Sequence, residues 1–250
     1  MLSSGLLTLR PAQSAAPWSC DPDNGLVIVK RTSRLNERKI SDVLVRLHAQ
    51  AEAHDATVIP GVLAAAGKRG ASTDLEMADL LADAVMPIHP NAGRLLHLLA
   101  MSRPQGRIIE FGTSHGLSTL YLAAAIGSDE APMITTEIEL SKIDIARANF
   151  KDAGLVDRID LRVGDAFDTL ADLSDGIALL FLDGWKGLYL PLLRALEPLL
   201  VSGAIVVADD TLLLPDLCAD YVDYVRGATD RYVSVGLPID DGLELSVNVR

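Results

Sequence analysis

The sequence predicts an α/β fold built on a doubly wound, mostly parallel sheet with helices on both faces. Three observations carry that expectation. From Arg107 onward, short apolar runs alternate with segments of helical periodicity, the rhythm of right-handed βαβ units. Aromatic residues make up only 4% of the chain while Ala, Leu, Val and Ile abound, which suits short buried strands covered by helices. The last two apolar runs, Tyr232 to Val235 and Leu243 to Val249, are separated by the turn-rich stretch Pro238 to Gly242 and no helix. They predict a closing hairpin that puts one antiparallel strand at the edge of the sheet.

Residues 1–35 are read as a flexible leader rich in Ser, Ala and Pro, and 36–250 as one domain, with N-terminal helices over 36–104 and the sheet core over 105–250. Asn36 to Ala53 places Ile40, Val43, Leu44 and Leu47 on one helical face. Ile59-Pro60-Gly61 signals a break, and Thr73-Asp-Leu-Glu76 fits a capping box that opens a helix towards Val85. A turn over Pro87 to Pro90 precedes a helix from Asn91 to Met101. Strands follow at Arg107 to Phe111, Ala131 to Glu137, Ile159 to Val163, Ile177 to Leu182 and Ala204 to Ala208. Helices are expected between them at Leu117 to Ile126, Ser141 to Ala153, Ala166 to Leu173 and Leu188 to Leu199, with Gly154 closing the second.

Charge narrows the class of partner. The 22 Lys and Arg against 34 Asp and Glu leave a formal charge of −12, and no basic run gathers on one segment, which disfavours a nucleic-acid partner. No stretch has the charged and apolar regions of a signal peptide or the length of a membrane span, so a cytoplasmic protein without a membrane partner is expected. Cys20 and Cys218 match no metal-ligand spacing and read as incidental thiols, and the five histidines show no ligand pattern either.

Three constellations carry chemistry. Glu110-Phe-Gly112-Thr113-Ser114-His-Gly116-Leu-Ser118 follows the first strand and opens a helix, where a doubly wound sheet takes a nucleotide-like ligand. Its Gly-x-x-x-Gly spacing differs from the dinucleotide fingerprint, and a tight turn without ligand is the plain alternative. Glu137 ends the second strand, where a carboxylate can accept hydrogen bonds from both ribose hydroxyls. Gly164-Asp165-Ala166 offers another carboxylate at the same edge, either for an adenine amino group or as a helix cap.

The third constellation is the most specific. Asp183 ends the apolar run Ile177 to Leu182, and Asp209-Asp210 end Ala204 to Ala208. Adjacent strands would crowd these carboxylates at one edge, and a hard divalent cation would relieve their repulsion. Each is also an ordinary turn or cap residue. Lys186 lies beside Asp183, and a bound cation would lower its pKa and make it a general base.

Phe181-Leu-Asp183-Gly-Trp185-Lys186-Gly-Leu-Tyr189, the pair Asp209-Asp210 and the Glu110 to Ser118 motif together resemble the cation-dependent O-methyltransferases of the catechol and caffeoyl-CoA type, from about Val85 to the C-terminus. The resemblance implies a Rossmann-like sheet of seven strands, the last antiparallel, and S-adenosyl-L-methionine as cofactor. It implies that Met86, Ile88, Glu110, Gly112, Thr113, Ser118, Glu137, Asp165, Ala166 and Asp183 surround that cofactor. It implies a divalent cation, Mg²⁺ first with Ca²⁺ or Mn²⁺ as other candidates, on Asp183, Asp209 and Asp210. Lys186 would take the hydroxyl proton of a catechol-like phenolic substrate, and Trp185 would wall its ring. A homodimer is implied as well. Asp210 stands where the family has Asn, and no acyl-CoA segment is recognisable in residues 1–80. Rival readings are a methyltransferase of a hydroxylated tRNA base, a noncatalytic S-adenosylmethionine-binding protein and an NAD-dependent dehydrogenase.

Overall fold

The computed structural model describes residues 31–69 and 83–250, without the side chains of 62–69. The chain enters through helix α1 (Arg38–Arg69) and helix α2 (Pro90–Ser102), then alternates β1 (Arg107–Phe111), α3 (Leu117–Ala123), β2 (Met133–Glu137), α4 (Leu140–Ala153), β3 (Ile159–Val163), α5 (Ala166–Thr169) and β4 (Ile177–Leu182). It continues with α6 (Tyr189–Leu196), β5 (Leu200–Ala208), α7 (Pro215–Gly227), β6 (Tyr232–Leu237) and β7 (Leu243–Asn248). These strands form a seven-stranded sheet in the order β3-β2-β1-β4-β5-β7-β6. Strand order reverses between β1 and β4, the crevice where open α/β sheets bind ligands.

The strands at the centre are buried on both faces, and their sequences say why. β4 reads Ile-Ala-Leu-Leu-Phe-Leu with every residue buried. Its side chains alternate: Leu179 and Phe181 join Ile40, Leu96, Ile108 and Leu120 in one core, whereas Leu180 and Leu182 join Ile109, Tyr189, Leu193 and Tyr221 in the other. Ile40, Val43, Leu44, Leu47 and Ala51 of α1 contribute to the first core at the spacing of one helical face. Helix ends follow local chemistry. The His89 side chain caps α2, which has Pro90 in its first turn, and Gly154 closes α4 with a left-handed φ of 68°.

Three sequence expectations change. First, α1 runs through Pro60 to Arg69 instead of ending at the Pro-Gly signal. Proline removes one backbone donor and leaves the Ala56 carbonyl without its amide partner four residues on, a single missing bond past which α1 continues. Second, the helix expected from Thr73 lies mostly outside the described residues, and Ala84 and Val85 are not helical. Third, the antiparallel strand is not at the edge. β7 inserts between β5 and β6, antiparallel to both, and β6 forms the edge. Burial accounts for the order, because Leu243, Glu244, Ser246 and Asn248 of β7 are buried while Val233 and Val235 of β6 are exposed. No helix among the described residues is long and apolar enough to cross a membrane.

Placing β7 inside the sheet buries the Glu244 carboxylate, which is 0% exposed. Arg226 of α7 answers it through Nε at 2.8 Å and Nη2 at 2.6 Å, and the Ser234 hydroxyl of β6 donates at 2.6 Å. Breaking a buried pair from one side leaves the other charge unpaired. Because Arg226 is itself half exposed, Arg226→Met should lower unfolding free energy by about 2–3 kcal/mol, at the lower end of that effect. Urea denaturation measures it, and an unchanged midpoint would remove this pair from the account of β7.

Candidate active site

The carboxyl ends of β1, β2, β4 and β5 bring most of the singled-out residues to one edge. β1 carries Glu110 as its penultimate residue, and the chain turns after Phe111 at Gly112, whose amide donates to the Thr136 carbonyl at 3.2 Å. Gly112 has φ 99°, and a Cβ there would stand 2.5 Å from the Asp183 carbonyl oxygen. Only glycine lets the β1 loop lie so close to the end of β4. Thr113 is buried and holds the loop to β2, its hydroxyl 3.1 Å from the Thr136 carbonyl and 2.5 Å from the Thr135 hydroxyl.

Glu110 is fully buried. Its Oε2 accepts from the hydroxyls of Thr119 and Thr135, but Oε1 has no partner. Burial pushes this carboxyl up to about 7, against the pull of those hydroxyl donors. Glu137, at the end of β2, accepts from the Ser114 amide at 2.7 Å and from the amides of Ile138 at 2.9 Å and Glu139 at 2.8 Å. Its carboxylate is thereby fixed in place with lone-pair capacity left over. Ser118 and Ala166 are buried, and Asp165 caps α5 by accepting from the Phe167 amide at 2.7 Å. Ile88 is buried, whereas Met86 is 44% exposed with an unusual φ of 49°.

At the ends of β4 and β5, one lysine bridges two of three neighbouring carboxylates. Lys186 Nζ lies 2.6 Å from Asp210 Oδ2, 3.4 Å from Asp183 Oδ1 and 2.7 Å from the Tyr189 hydroxyl. Asp209 is buried, and its Oδ1 accepts from the Asp210 amide at 2.8 Å, while Asp210 adopts a left-handed φ of 62°. Burial raises the pKa of both Asp183 and Asp209, and neighbouring carboxylates add to the rise. Burial also opposes charge on Lys186, but Tyr189, Asp183 and Asp210 outweigh it and hold its pKa well above the ordinary value. Trp185 is half-buried beside them.

The donor set is all oxygen, which suits a hard cation. Among the described residues, however, no three His, Cys, Asp or Glu side chains already stand as a metal-holding group, since the Lys186 ammonium sits between Asp183 and Asp210. A cation here would need the lysine to yield its carboxylates. Residues without an earlier assignment also belong to this edge. Thr119 and Thr135 orient Glu110, Tyr189 steadies Lys186, and Asp55 of α1 accepts from the amides of Val85 and Met86. The Thr135-Thr136 pair inside an otherwise apolar strand was a readable signal. A single Asp in a polar stretch of α1 was not.

A reversing parallel sheet, a glycine turn after β1, an acid at the end of β2 and carboxylates after β4 and β5 together form the crevice where a doubly wound sheet takes a nucleotide-like ligand. Residues 109–211 match a family profile described as a methyltransferase domain. The chain is 34% identical over 121 residues to a catechol O-methyltransferase of Mycobacterium tuberculosis, covering 48% of this chain and 54% of that protein. It is 32% identical over 145 residues to a catechol O-methyltransferase of Niastella koreensis, covering 55% of this chain and 65% of that protein. A crystal structure of the O-methyltransferase TomG from Streptomyces achromogenes, in complex with SAM, is similar with a TM-score of 0.60 and 25% identity, covering 72% of this chain and 92% of that one. The chain thus spans between half and two thirds of the length of these two curated relatives. The chain is similar to O-methyltransferases of the catechol and caffeoyl-CoA type, and residues 109–211 carry the match to a methyltransferase domain.

The raised Glu110 pKa has a testable sign. An unfolded Glu110 ionises near its ordinary 4.5, whereas the folded one stays protonated to about 7, so wild-type stability falls as pH rises between those values. Glu110→Gln lacks this penalty. Its stability relative to wild type should improve from pH 4.5 to 7 and level off above, by about 2–3 kcal/mol in all. Denaturation series at fixed pH values measure the difference, and a pH-independent gap would contradict the burial account.

Proposed function

We propose that this protein is an S-adenosylmethionine-dependent O-methyltransferase acting on a hydroxyl of a small catechol-like substrate, assisted by a divalent cation, Mg²⁺ first. The observation that carries the reading is the pairing of two acidic sites on one sheet edge: Glu110 and Glu137 beside the glycine turn, and Asp183, Asp209 and Asp210 around Lys186. The names of the curated relatives support the catechol-like substrate, and the net charge of −12 favours a small molecule over a nucleic acid. A cytoplasmic homodimer completes the reading; the homodimer rests on the sequence resemblance, and the location on the expectation from the sequence pattern.

On this reading, bound S-adenosylmethionine supplies a methyl group on a positively charged sulfur. The Glu137 carboxylate would accept the ribose hydroxyls, and Oε1 of Glu110, which has no partner, would accept from the ammonium end of the same molecule. Gly112 leaves room for the ligand against the backbone, while Met86 and Ile88 flank it from the N-terminal side. A divalent cation held by Asp183, Asp209 and Asp210 would supply positive charge that lowers the pKa of a substrate hydroxyl. Lys186, its bonds to Asp183 and Asp210 given up, would lose its own proton to solvent and could then accept the hydroxyl proton at Nζ. Trp185 would wall the aromatic ring, and this one edge would hold the reactants close together.

Transfer of labelled methyl from S-adenosylmethionine to a catechol panel, with Mg²⁺ and with chelator, tests the whole reading. Turnover with Mg²⁺ and its loss on chelation are expected; turnover indifferent to chelator would sink the metal role, and no turnover on any catechol would sink the substrate class. Separate variants divide the two halves of the site. Glu137→Ala should raise the Kd for S-adenosylhomocysteine at least about tenfold, as loss of charge-assisted hydrogen bonds does. Asp183→Asn should lower kcat at least about a hundredfold while that Kd moves by less than about threefold, since it removes an anionic metal ligand. Calorimetry and initial rates read the pair, and identical losses in both parameters for both variants would refute this division.

A further inference from the structure

A chain of hydrogen bonds joins the N-terminal helix to the ribose-side carboxylate. Asp55, on α1 and only 7% exposed, accepts from the Val85 amide through Oδ1 at 2.8 Å and from the Met86 amide through Oδ2 at 2.7 Å. Val85 in turn accepts from the Ser114 hydroxyl at 2.8 Å, and the Ser114 amide donates to Glu137 at 2.7 Å. Met86 and Ser114 both have positive φ, 49° and 45°, conformations that side-chain-bearing residues adopt rarely unless their surroundings hold them. Asp55 therefore fixes two consecutive amides of a strained segment, and the segment fixes the loop residue that orients Glu137. His54, next to Asp55, adds a third tie, with Nε2 2.7 Å from the Asp83 carbonyl. Lys142 of α4, 6% exposed, places its charge within the field of both Asp55 and Glu137.

We propose that Asp55 is a positioning residue for the cofactor: by clamping the Val85 and Met86 amides it sets the N-terminal wall of the cofactor cleft and, through Ser114, the Glu137 carboxylate. The proposal rests on the cofactor reading above. Asp55 itself touches neither cofactor nor substrate; its effect passes through the backbone of residues 85 and 86. An amide side chain at position 55 turns one of the two acceptors into a donor facing an N–H, so the near-isosteric Asn cannot hold both amides.

The test uses the full chain with Asp55→Asn and Ser114→Ala, the second removing only the hydroxyl link to Val85. Calorimetry with S-adenosylhomocysteine and hydrogen exchange of the ligand-free protein read the outcome. Asp55→Asn should raise Kd at least about tenfold and accelerate exchange at the Val85 and Met86 amides by a similar factor, with Ser114→Ala raising Kd a few-fold. A purely structural role would shift the unfolding midpoint and leave the Kd of the folded protein as in wild type. A Kd within twofold of wild type for Asp55→Asn overturns the proposal; if that variant does not fold, the same result for Ser114→Ala overturns it. Wild type that fails to bind S-adenosylhomocysteine is a different failure, that of the cofactor reading itself, and the positioning role falls with it.

Discussion

The structure depends on gathering carboxylates at the dry carboxyl edge of a parallel sheet and keeping them there. Asp183 and Asp209 are the residues that end β4 and β5, so the strand register that builds the core also fixes where these charges stand. Burial raises the pKa of both, and Lys186 answers with bonds to Asp183 and Asp210. Removing water strengthens such interactions and makes an unanswered charge costly. The positive charge this edge requires comes from Lys186.

The same constraint explains the supporting parts. Tyr189 is completely buried in the second core, and its hydroxyl reaches Lys186, so the packing of α6 against the sheet sets the position of the ammonium. Gly112 has no side chain because the Asp183 backbone occupies that space. Thr119 and Thr135 donate to one oxygen of Glu110 and leave the other without a partner, an arrangement that suits an incoming ligand better than a finished core. Each of these features lies where strand order reverses, which is where a sheet of this topology opens a crevice.

Much of this was legible in sequence, for identifiable reasons. The all-apolar run Ile177 to Leu182 reads as a doubly covered strand, and Asp183 directly after it marks the carboxyl end. Gly112, Gly116 and Gly154 stand where positive φ is needed. The order of the last two strands was not legible, since either strand of a hairpin can pair with β5 and burial decides between them. Continuation of α1 through Pro60 was hidden for a similar reason: a breaker residue reports local preference, and tertiary packing can override it. Asp55 gave no signal because its partners are backbone amides in a segment distant in sequence. The contacts of Lys186 with Tyr189 and Asp210 were not legible either, since spacing alone does not show which side chains share the ammonium.

The central claim is that one sheet edge holds an adenosine-bearing cofactor at Glu137 and a divalent cation at the aspartates. Crystals grown with S-adenosylhomocysteine and Mn²⁺, with anomalous data collected at the manganese edge, address it most directly. The account predicts a single strong anomalous peak among Asp183, Asp209 and Asp210, Lys186 displaced from at least one carboxylate, and ribose hydroxyls on Glu137. An anomalous peak elsewhere, or none with Lys186 still bonded to Asp183 and Asp210, would contradict it.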